Sequence, residues 1–525
     1  MNDLAFPGPR TEQGIAPPPI EVEIKLTGSA EAIAGAIRSP AIASRARNRG
    51  VFRRLEATYF DAPDHRLRRA GLTYRIRRSG GRLTATVKQE LDIPEALAGR
   101  AEWEASVESA APDPALLPQD AADAVRKALA GAPLFASVAT RIRRHAIRLD
   151  VDGALLELAH DEGLIAAEGR STTLHEIELE LLAGGAEHLI GLARDLVETH
   201  GLCVGHMSKA ERGFLLLGSG VPIVKAERPA LDPAMKLDDA IATVLGAAAR
   251  HVAGNLKAAE AGLQVEVIHQ TRVSLRRLRS ICGLMRRIAP APVFRRLADE
   301  GKALAGALGR ARDIDVFLAE SLATAEPNDA ARIDFAGLKA VAEAERRTAY
   351  EGARAALDGP SASRLHLALL DTLVRRSWRE DLPPVEGARL NEAAAGAAAD
   401  LLDRLAKQVR RRGRRLKTLP APERHELRIT VKKLNYAVDL LANLFEGSGK
   451  LRRYQNALAG LQQALGRAND SAVLPQLLDS LTTGAAPDLV RAAAYLEGWR
   501  ARDDHDTEQD IRKAWRRFRS VEPFW

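Results

Sequence analysis

The residues with the clearest chemical potential stand in short alternating runs. In Glu21-Val22-Glu23-Ile24-Lys25, the two-residue period of a strand sends Glu21, Glu23 and Lys25 to one side. Ile20, Val22, Ile24 and Leu26 go to the other. Two neighbouring carboxylates suit a hard divalent cation, and an adjacent ammonium suits a phosphate held by that cation. Other runs repeat the scheme with charges of both signs. Thr73, Arg75 and Arg77 share one parity, as do Thr84, Thr86 and Lys88, then Arg100, Glu102 and Glu104, then Glu176, Glu178 and Glu180. A half-buried sheet also has a polar face. Here, however, basic and acidic strands are sorted, as though one wall grips an anion and another its metal.

A second set of chemical residues lies further along. His269-Gln-Thr-Arg-Val-Ser-Leu-Arg-Arg-Leu278 matches His425-Glu-Leu-Arg-Ile-Thr-Val-Lys-Lys-Leu434, an offset of 425 − 269 = 156. Leu308-Gly-Arg-Ala-Arg-Asp313 matches Leu465-Gly-Arg-Ala-Asn-Asp470 at 465 − 308 = 157. On a helix, positions i, i+3 and i+7 share a face, which aligns His269, Arg272 and Arg276, and likewise His425, Arg428 and Lys432. A single His-x-x-Arg reads as structure as readily as function, and its repetition argues for function. No second His or Cys stands at ligand spacing, so a metal is not indicated there.

The elements that must carry these residues divide the chain in two. Strand-like alternation stops after Leu217, and Gly218-Ser-Gly-Val-Pro222 with Pro229 and Pro233 reads as a linker. Beyond Met235 the sequence is rich in Ala, Leu and Arg with helical periodicity. The expected organisation is a flexible tail over 1–19, a strand-built domain over 20–218, a linker over 219–234 and a helical domain over 235–518. The last would hold two repeats, about 235–390 and 391–518, each a small bundle related to the other by pseudo-symmetry.

Composition sets the frame. The 525 residues exceed a single core, and 46% hydrophobic with 28% charged residues describe a globular chain. No apolar run is long enough to cross a bilayer. Cys203 and Cys282 give neither a disulfide framework nor a zinc cluster, and a cytoplasmic location is the default expectation. The net charge of +8 invites polyanions. Its distribution is sharper: eight arginines and no acid lie between His269 and Arg296, and seven basic residues lie between Lys407 and Lys417. Aromatic residues are not interleaved for base stacking, so nucleic acid is the poorer partner.

The ordered set Glu21-x-Glu23-x-Lys25, Tyr59-Phe-Asp-Ala-Pro-Asp-His-Arg-Leu67, Gly71-x-x-x-Arg75-x-Arg77, Thr86-Val-Lys88, Arg100-x-Glu-Trp-Glu104, Asp161-Glu-Gly163 and Glu176-Ile-Glu-Leu-Glu-Leu181 resembles the CYTH family, the triphosphate tunnel metalloenzymes. The resemblance implies an eight-stranded antiparallel β-barrel whose lumen binds triphosphate. By that pattern Lys25, Arg75, Arg77 and Lys88 grip the phosphates, and Arg143 and Lys209 complete the cradle, with Arg141 a substitute of the same parity. Glu21 and Glu23 would hold Mg²⁺ or Mn²⁺. Glu176 and Glu178, with Glu180 on the same face, would hold a second ion or orient its waters. Asp161 fits an acidic position of the family and fits a turn aspartate equally well. Asp61, Pro63 and Asp64 match the family but read as turn chemistry.

The helical half resembles the CHAD family, the conserved histidine α-helical domain. That implies inorganic polyphosphate bound in a basic groove between the two bundles by His269, Arg272, Arg276 and Arg279 with His425, Arg428, Lys432 and Lys433. Lys432 and Lys433 stand where the first repeat has Arg276 and Arg277, giving point charges in place of bidentate forks.

The expectation is therefore an α+β multidomain chain, a metal-dependent inorganic triphosphatase fused to a polyphosphate-binding helical domain. Rival readings are a non-catalytic polyphosphate-binding protein, or a tunnel enzyme acting on thiamine triphosphate or a nucleoside triphosphate, including ATP cyclisation. The sequence names neither an oligomeric seam nor any communication between the halves.

Overall fold

A computed structural model describes residues 20–90, 100–323, 333–380, 382–445, 449–470, 474–502 and 507–525. The tail expected over 1–19 lies outside the described residues. The chain divides into two compact units that meet between Pro222 and Ile223.

In the first unit the alternating runs form strands β1 (Ile20–Glu21), β2 (Glu23–Thr27), β3 (Val51–Asp61), β4 (Leu72–Ser79), β5 (Arg82–Glu90), β6 (Arg100–Val107), β7 (Phe135–Val151), β8 (Ala154–Ala167), β9 (Arg170–Ala183) and β10 (Cys203–Gly205). They make one curled antiparallel sheet in the order β1-β6-β5-β4-β3-β7-β8-β9-β2-β10. The count is ten rather than the expected eight for two reasons. The first run breaks at Val22 into β1, which pairs with β6, and β2, which pairs with β9. The three-residue β10 adds an edge beside β2. The curl brings both flanks of the sheet to the single segment 20–27. Two-residue turns at Asp152-Gly153 and Glu168-Gly169 have positive φ at both positions, the backbone that joins twisted antiparallel strands tightly.

The apolar parity of these strands faces outward under helices. Leu72, Tyr74 and Ile76 of β4 and Ala85 and Val87 of β5 form a core with Ala121, Ala122, Val125 and Leu129 from helix Gln119–Leu129. The polar parity is thereby turned into the lumen. One part of the lumen is nonetheless apolar: Leu55, Ala57, Tyr59, Val138, Ile142 and Ile165 pack with Ala210 and Phe214 of helix Lys209–Leu216. Asp61 serves as a turn residue, its carboxylate accepting from the backbone N–H of Ala62, Leu67 and Arg68 at 2.7, 2.8 and 3.0 Å.

The second unit is helical among its described residues. Its helices begin at Leu237, Val265 and Val293, and again at Ala394, Ala421 and Gly449. The offsets are 394 − 237 = 157, 421 − 265 = 156 and 449 − 293 = 156, those of the sequence repeat. The repeats are not two separate bundles. Ile314, Phe317, Phe335 and Leu338 of the first share one hydrophobic cluster with Leu474, Leu478, Ala492 and Leu496 of the second. Burial of the common apolar surface is the physical reason, since neither copy covers these side chains alone. Much of the expected linker is also tied down. Asn255 donates to the Val224 carbonyl at 2.9 Å, Arg277 to that of Glu227 and Asn443 to that of Pro229, while Arg228 pairs with Asp439. The segment thus straps helix Leu237–Ala261 to helix Ala421–Leu441. No described helix is long and apolar enough to cross a membrane.

His251, within helix Leu237–Ala261, is buried, and burial lowers its imidazole to about 4. An unfolded chain binds a proton there near 6.5, so between 6.5 and 4 the unfolded state holds more protons and stability falls as pH falls. We expect the unit to lose about 2 kcal/mol through this residue at pH 5 relative to pH 7.5. His251→Leu should lessen the drop in melting temperature between these pH values; an unchanged drop would mean the imidazole is charged inside the fold.

Candidate active site

Inside the curled sheet is a cavity of about 500 Å³. Strand register explains how it acquires its walls. On β4 and β5 the lumen-facing pairs are Thr73 with Lys88, Arg75 with Thr86, Arg77 with Thr84 and Ser79 with Arg82. Each of these four rungs thus offers one cation and one hydroxyl. The opposite wall is acidic: Glu157, Glu180 and Glu23 lie side by side on β8, β9 and β2, with Glu21 beside them. Glu178 and Lys25 form the next pair. The acids and bases sorted in the sequence therefore converge in one enclosure.

Ion pairs link the walls where they meet. Lys88 contacts Glu21 and lies 3.4 Å from Glu102. Glu102 is also 3.6 Å from Arg75, and Glu104 is 3.3 Å from Arg77. Lys25 contacts Glu23 and is 3.9 Å from Glu178, while Arg100 is 3.8 Å from Glu23. Glu180 has no ion pair among the described residues. Burial, reinforced by Glu21 and Glu157, pushes its carboxyl up to about 7. Glu157, beside Glu180 on β8, is likewise without an ion pair among the described residues.

Deeper in the same wall, Ser208 caps helix Lys209–Leu216 through a reciprocal pair with Glu211 and sets Lys209 at its first position. The Lys209 ammonium lies 2.6 Å from Glu176, 2.7 Å from Glu178 and 2.8 Å from Asp161. These three carboxylates each bring an oxygen within 4.8 Å of the others, a group of the kind that can hold a metal ion. Here the lysine provides the positive charge, helped by Arg144 at 2.7 Å from Asp161 and by its contact at 2.5 Å with Glu178. Burial opposes ionisation of Glu178, yet Lys209 and Arg144 outweigh it and hold the carboxyl well below its ordinary range. The same carboxylates raise Lys209 above the usual lysine range despite its burial.

Several expected positions shift. Arg143 points to the outer face, 65% exposed and paired with Glu162. Arg144, 17% exposed, lines the cavity instead. Arg141 has the outward parity of Arg143. Glu176 is buried against Lys209 and Arg212 and does not line the cavity, whereas Glu180 does. Asp161 is no turn residue: it lies within β8, fully buried. Gly163 follows because β7 passes so close that an added Cβ would lie 2.0 Å from the Arg141 carbonyl oxygen. Arg144→Ala should cost about 3 kcal/mol by stranding buried carboxylates, against under about 0.5 kcal/mol for exposed Arg143→Ala. Thermal melts of the two variants check this; equal losses would refute the inward placement.

In the second unit His269, Arg272, Arg276 and Arg279 lie on helix Val265–Met285, and His425, Arg428, Lys432 and Lys433 on helix Ala421–Leu441. The first group meets the other repeated motif. Arg272 donates to the Ala305 carbonyl at 2.6 Å, and burial together with Arg312, Arg276 and Arg272 lowers the His269 imidazole. Arg276 and Arg279 are exposed, as are His425 and Lys433, while Arg428 and Lys432 are half-buried. Lys433 is turned about 100° from Lys432 around the helix and takes the place of Arg277, the strap-binding residue, rather than of Arg279. The side chains of 467–470, at the end of the second repeated motif, lie outside the described residues.

Family models match both halves: the CYTH domain over residues 19–214 and the CHAD domain over residues 243–479. The chain carries a CYTH domain followed by a CHAD domain. A curated relative, an inorganic triphosphatase of Haemophilus influenzae, is 29% identical over 160 residues. The match spans 30% of this chain and 45% of that protein, under half of the relative's length. The crystal structure of the CHAD domain from the plant Ricinus communis is similar at 28% identity and a TM-score of 0.50, covering 58% of this chain and 98% of that one. A Hippeastrum adenylyl cyclase described as having a dominant triphosphatase activity is 19% identical with a TM-score of 0.25, covering 38% of this chain and 98% of its own. Within the CYTH domain, Arg53, Arg82 and Arg144 line the cavity without having been assigned to it from sequence, and Arg100, placed on the polar parity but given no role, lines it too. Arg82 carries the inward parity of Thr84, Thr86 and Lys88, a signal that could have found it.

Proposed function

We propose that the CYTH domain hydrolyses inorganic triphosphate to pyrophosphate and orthophosphate with Mg²⁺ or Mn²⁺, and that the CHAD domain binds inorganic polyphosphate. The observation that carries the first part is the single cavity with a cationic wall on β4–β5 facing an acidic wall on β8, β9 and β2. A triphosphate needs matching positive charge before a nucleophile can approach it, and Lys25, Arg75, Arg77, Lys88 and Arg144 supply it in this reading. Glu21, Glu23 and Glu178 would hold the metal. They fit a hard cation because every donor is a carboxylate oxygen. The metal, when bound, would neutralise phosphate charge and activate water. Glu180 is free of an ion pair among the described residues, and burial pushes its carboxyl up to about 7, so it can take the proton released as water attacks the terminal phosphorus. Lys209, with Glu176 and Asp161, holds Glu178 from beneath. A cytoplasmic location belongs to the same proposal.

The polyphosphate part of the proposal is supported by the exposed cations of the two repeated helices. It predicts weaker polyphosphate binding for Arg276→Ala with Arg279→Ala, at a salt concentration where nucleic acid competes poorly.

The test of the catalytic reading is product analysis by phosphorus NMR of the full chain with triphosphate, Mg²⁺ or Mn²⁺, and then a chelator. Orthophosphate and pyrophosphate that vanish on chelation support hydrolysis. A cyclic nucleotide with pyrophosphate from ATP would instead support a cyclase. No turnover of any triphosphate would leave a binding protein.

A further inference from the structure

The outer face of β7, β8 and β9 carries ligand chemistry that the tunnel does not use. His145 stands directly opposite His160 across β7 and β8, and Glu162 directly opposite His175 across β8 and β9. Strand parity sends all four away from the lumen, which Arg144, Glu157 and Glu178 of the same strands line. Opposite residues of an antiparallel pair have Cβ atoms about 4.5–5.5 Å apart, and diagonal ones about 7–8 Å. His160 and Glu162 share one side of β8, and the His160 Nε2 lies 3.7 Å from a Glu162 oxygen. His175 is exposed, and His145, His160 and Glu162 are partly buried, so an ion can reach them from solvent. His145 is held by its surroundings. Its ring stacks on Phe52 of β3, with centroids 4.1 Å apart and planes 6° from parallel. Its Nε2 lies 3.2 Å from the Arg49 carbonyl oxygen. Gly50 has a φ of +80°, and an added Cβ there would lie 2.2 Å from that nitrogen, so the glycine makes room for the contact. A carbonyl only accepts, so Nε2 carries the proton and Nδ1 keeps its lone pair. Metal-binding histidines are oriented by the same kind of backbone contact. Arg143 holds Glu162 in the structure, and the four ligands are not gathered as closely as the acids around Lys209. Arg143 is exposed, and a surface pair of this kind contributes little, so a divalent cation can displace it.

We propose that His145, His160, Glu162 and His175 form a zinc site on the outer face of the sheet. Three imidazoles and a carboxylate are a donor set for a borderline ion such as Zn²⁺, bound at about 2.0–2.2 Å. The lumen differs, since its carboxylates suit the harder Mg²⁺ or Mn²⁺. The ion displaces Arg143 from Glu162 and ties β7, β8 and β9 together. It does so directly behind Asp161, which lies between two of the ligands in sequence and turns inward to Lys209 and Arg144 at 2.8 and 2.7 Å. Four protein ligands leave no open position for a substrate, so the role is structural. The tie steadies the strand that holds Lys209 in place. The site stands whether or not the tunnel hydrolyses triphosphate.

The test titrates the chelator-treated full chain with Zn²⁺ and, separately, with Co²⁺. Zinc should raise the melting temperature of the parent, and Co²⁺ should give the intense visible bands of a four-coordinate, nitrogen-rich site. His160→Ala and His175→Ala should each weaken Zn²⁺ binding at least about tenfold, since loss of even an outer partner of a metal ligand costs that much. Both should also lose the Co²⁺ bands and the zinc-dependent gain in melting temperature. Without metal the two variants should melt close to the parent, and exposed His175 keeps the test open if His160→Ala folds poorly. Arg143→Ala should tighten Zn²⁺ binding, because Glu162 no longer has to be freed. Glu23→Gln, on the lumen side, should leave it unchanged. A parent with neither Co²⁺ bands nor a zinc-dependent rise overturns the site. Zinc binding that survives both histidine variants also overturns it, as does binding lost in Glu23→Gln, which assigns the ion to the tunnel.

Discussion

Glu23→Gln is expected to lower metal-dependent phosphate release from triphosphate by about 10²- to 10³-fold, the scale seen when one preorganised electrostatic group is lost from an active site. Shape and hydrogen-bonding capacity are nearly kept, so the effect isolates charge. Glu23 is 9% exposed and stands at the meeting of three strands, beside Lys25, 3.8 Å from Arg100 and opposite Glu180. Removing its charge takes a donor from the cation and leaves Lys25 and Arg100 less restrained. The loss should fall mainly on kcat, with weaker Mn²⁺ binding measured by calorimetry on the same variant. Activity within a few-fold of the parent, with unchanged Mn²⁺ affinity, would remove Glu23 from the metal site.

Lys209→Met should have the second largest effect, and on stability. The ammonium meets Asp161, Glu176 and Glu178 within 2.8 Å, and two of these carboxylates are wholly buried. A buried pair broken on one side commonly costs about 3–5 kcal/mol, because the remaining charge has no water to turn to. For a unit of this size that is a fall of roughly 10 °C in melting temperature. Arg144 and Arg212 remain near the carboxylates, which favours the lower part of the range. The variant should also gain more stability from added Mn²⁺ than the parent does, since a further cation can then enter among the three acids. A variant that melts with the parent, or gains nothing from the metal, would mean the carboxylates are protonated inside the fold.

The two-residue period made much of the site legible. Glu21, Glu23, Lys25, Arg75, Arg77 and Lys88 stand in runs where apolar and polar residues alternate cleanly, so parity alone sends them to one face. Arg141-Ile142-Arg143-Arg144 has arginine on both parities, and Ile142 between two arginines reads as the covered outer face. The structure reverses this because helix Lys209–Leu216 makes that part of the lumen apolar, and Ile142 packs inward against it. No local pattern announces such a helix inside a sheet. Lys209 was visible as a motif residue, but its partners come from β8 and β9, far away in the chain. Glu176 and Glu180 share a parity, and only depth distinguishes the one held by Lys209 from the one that meets the cavity. The three residues of β10 were too short to register as a strand, and the break at Val22 depends on which neighbour each half of the run finds.

The helical repeats were legible as copies, because His269 and His425 open matching motifs at a fixed offset. Their joint interior was not, since nothing along one copy says that Phe335 will meet Tyr495 of the other. That common interior changes what the duplication means. The copies have surrendered their independence: neither can loosen without exposing the other's greasy side chains, and the pair must melt as a single cooperative body. An ancestral half, cut out at the old seam, would be a sticky fragment seeking its twin.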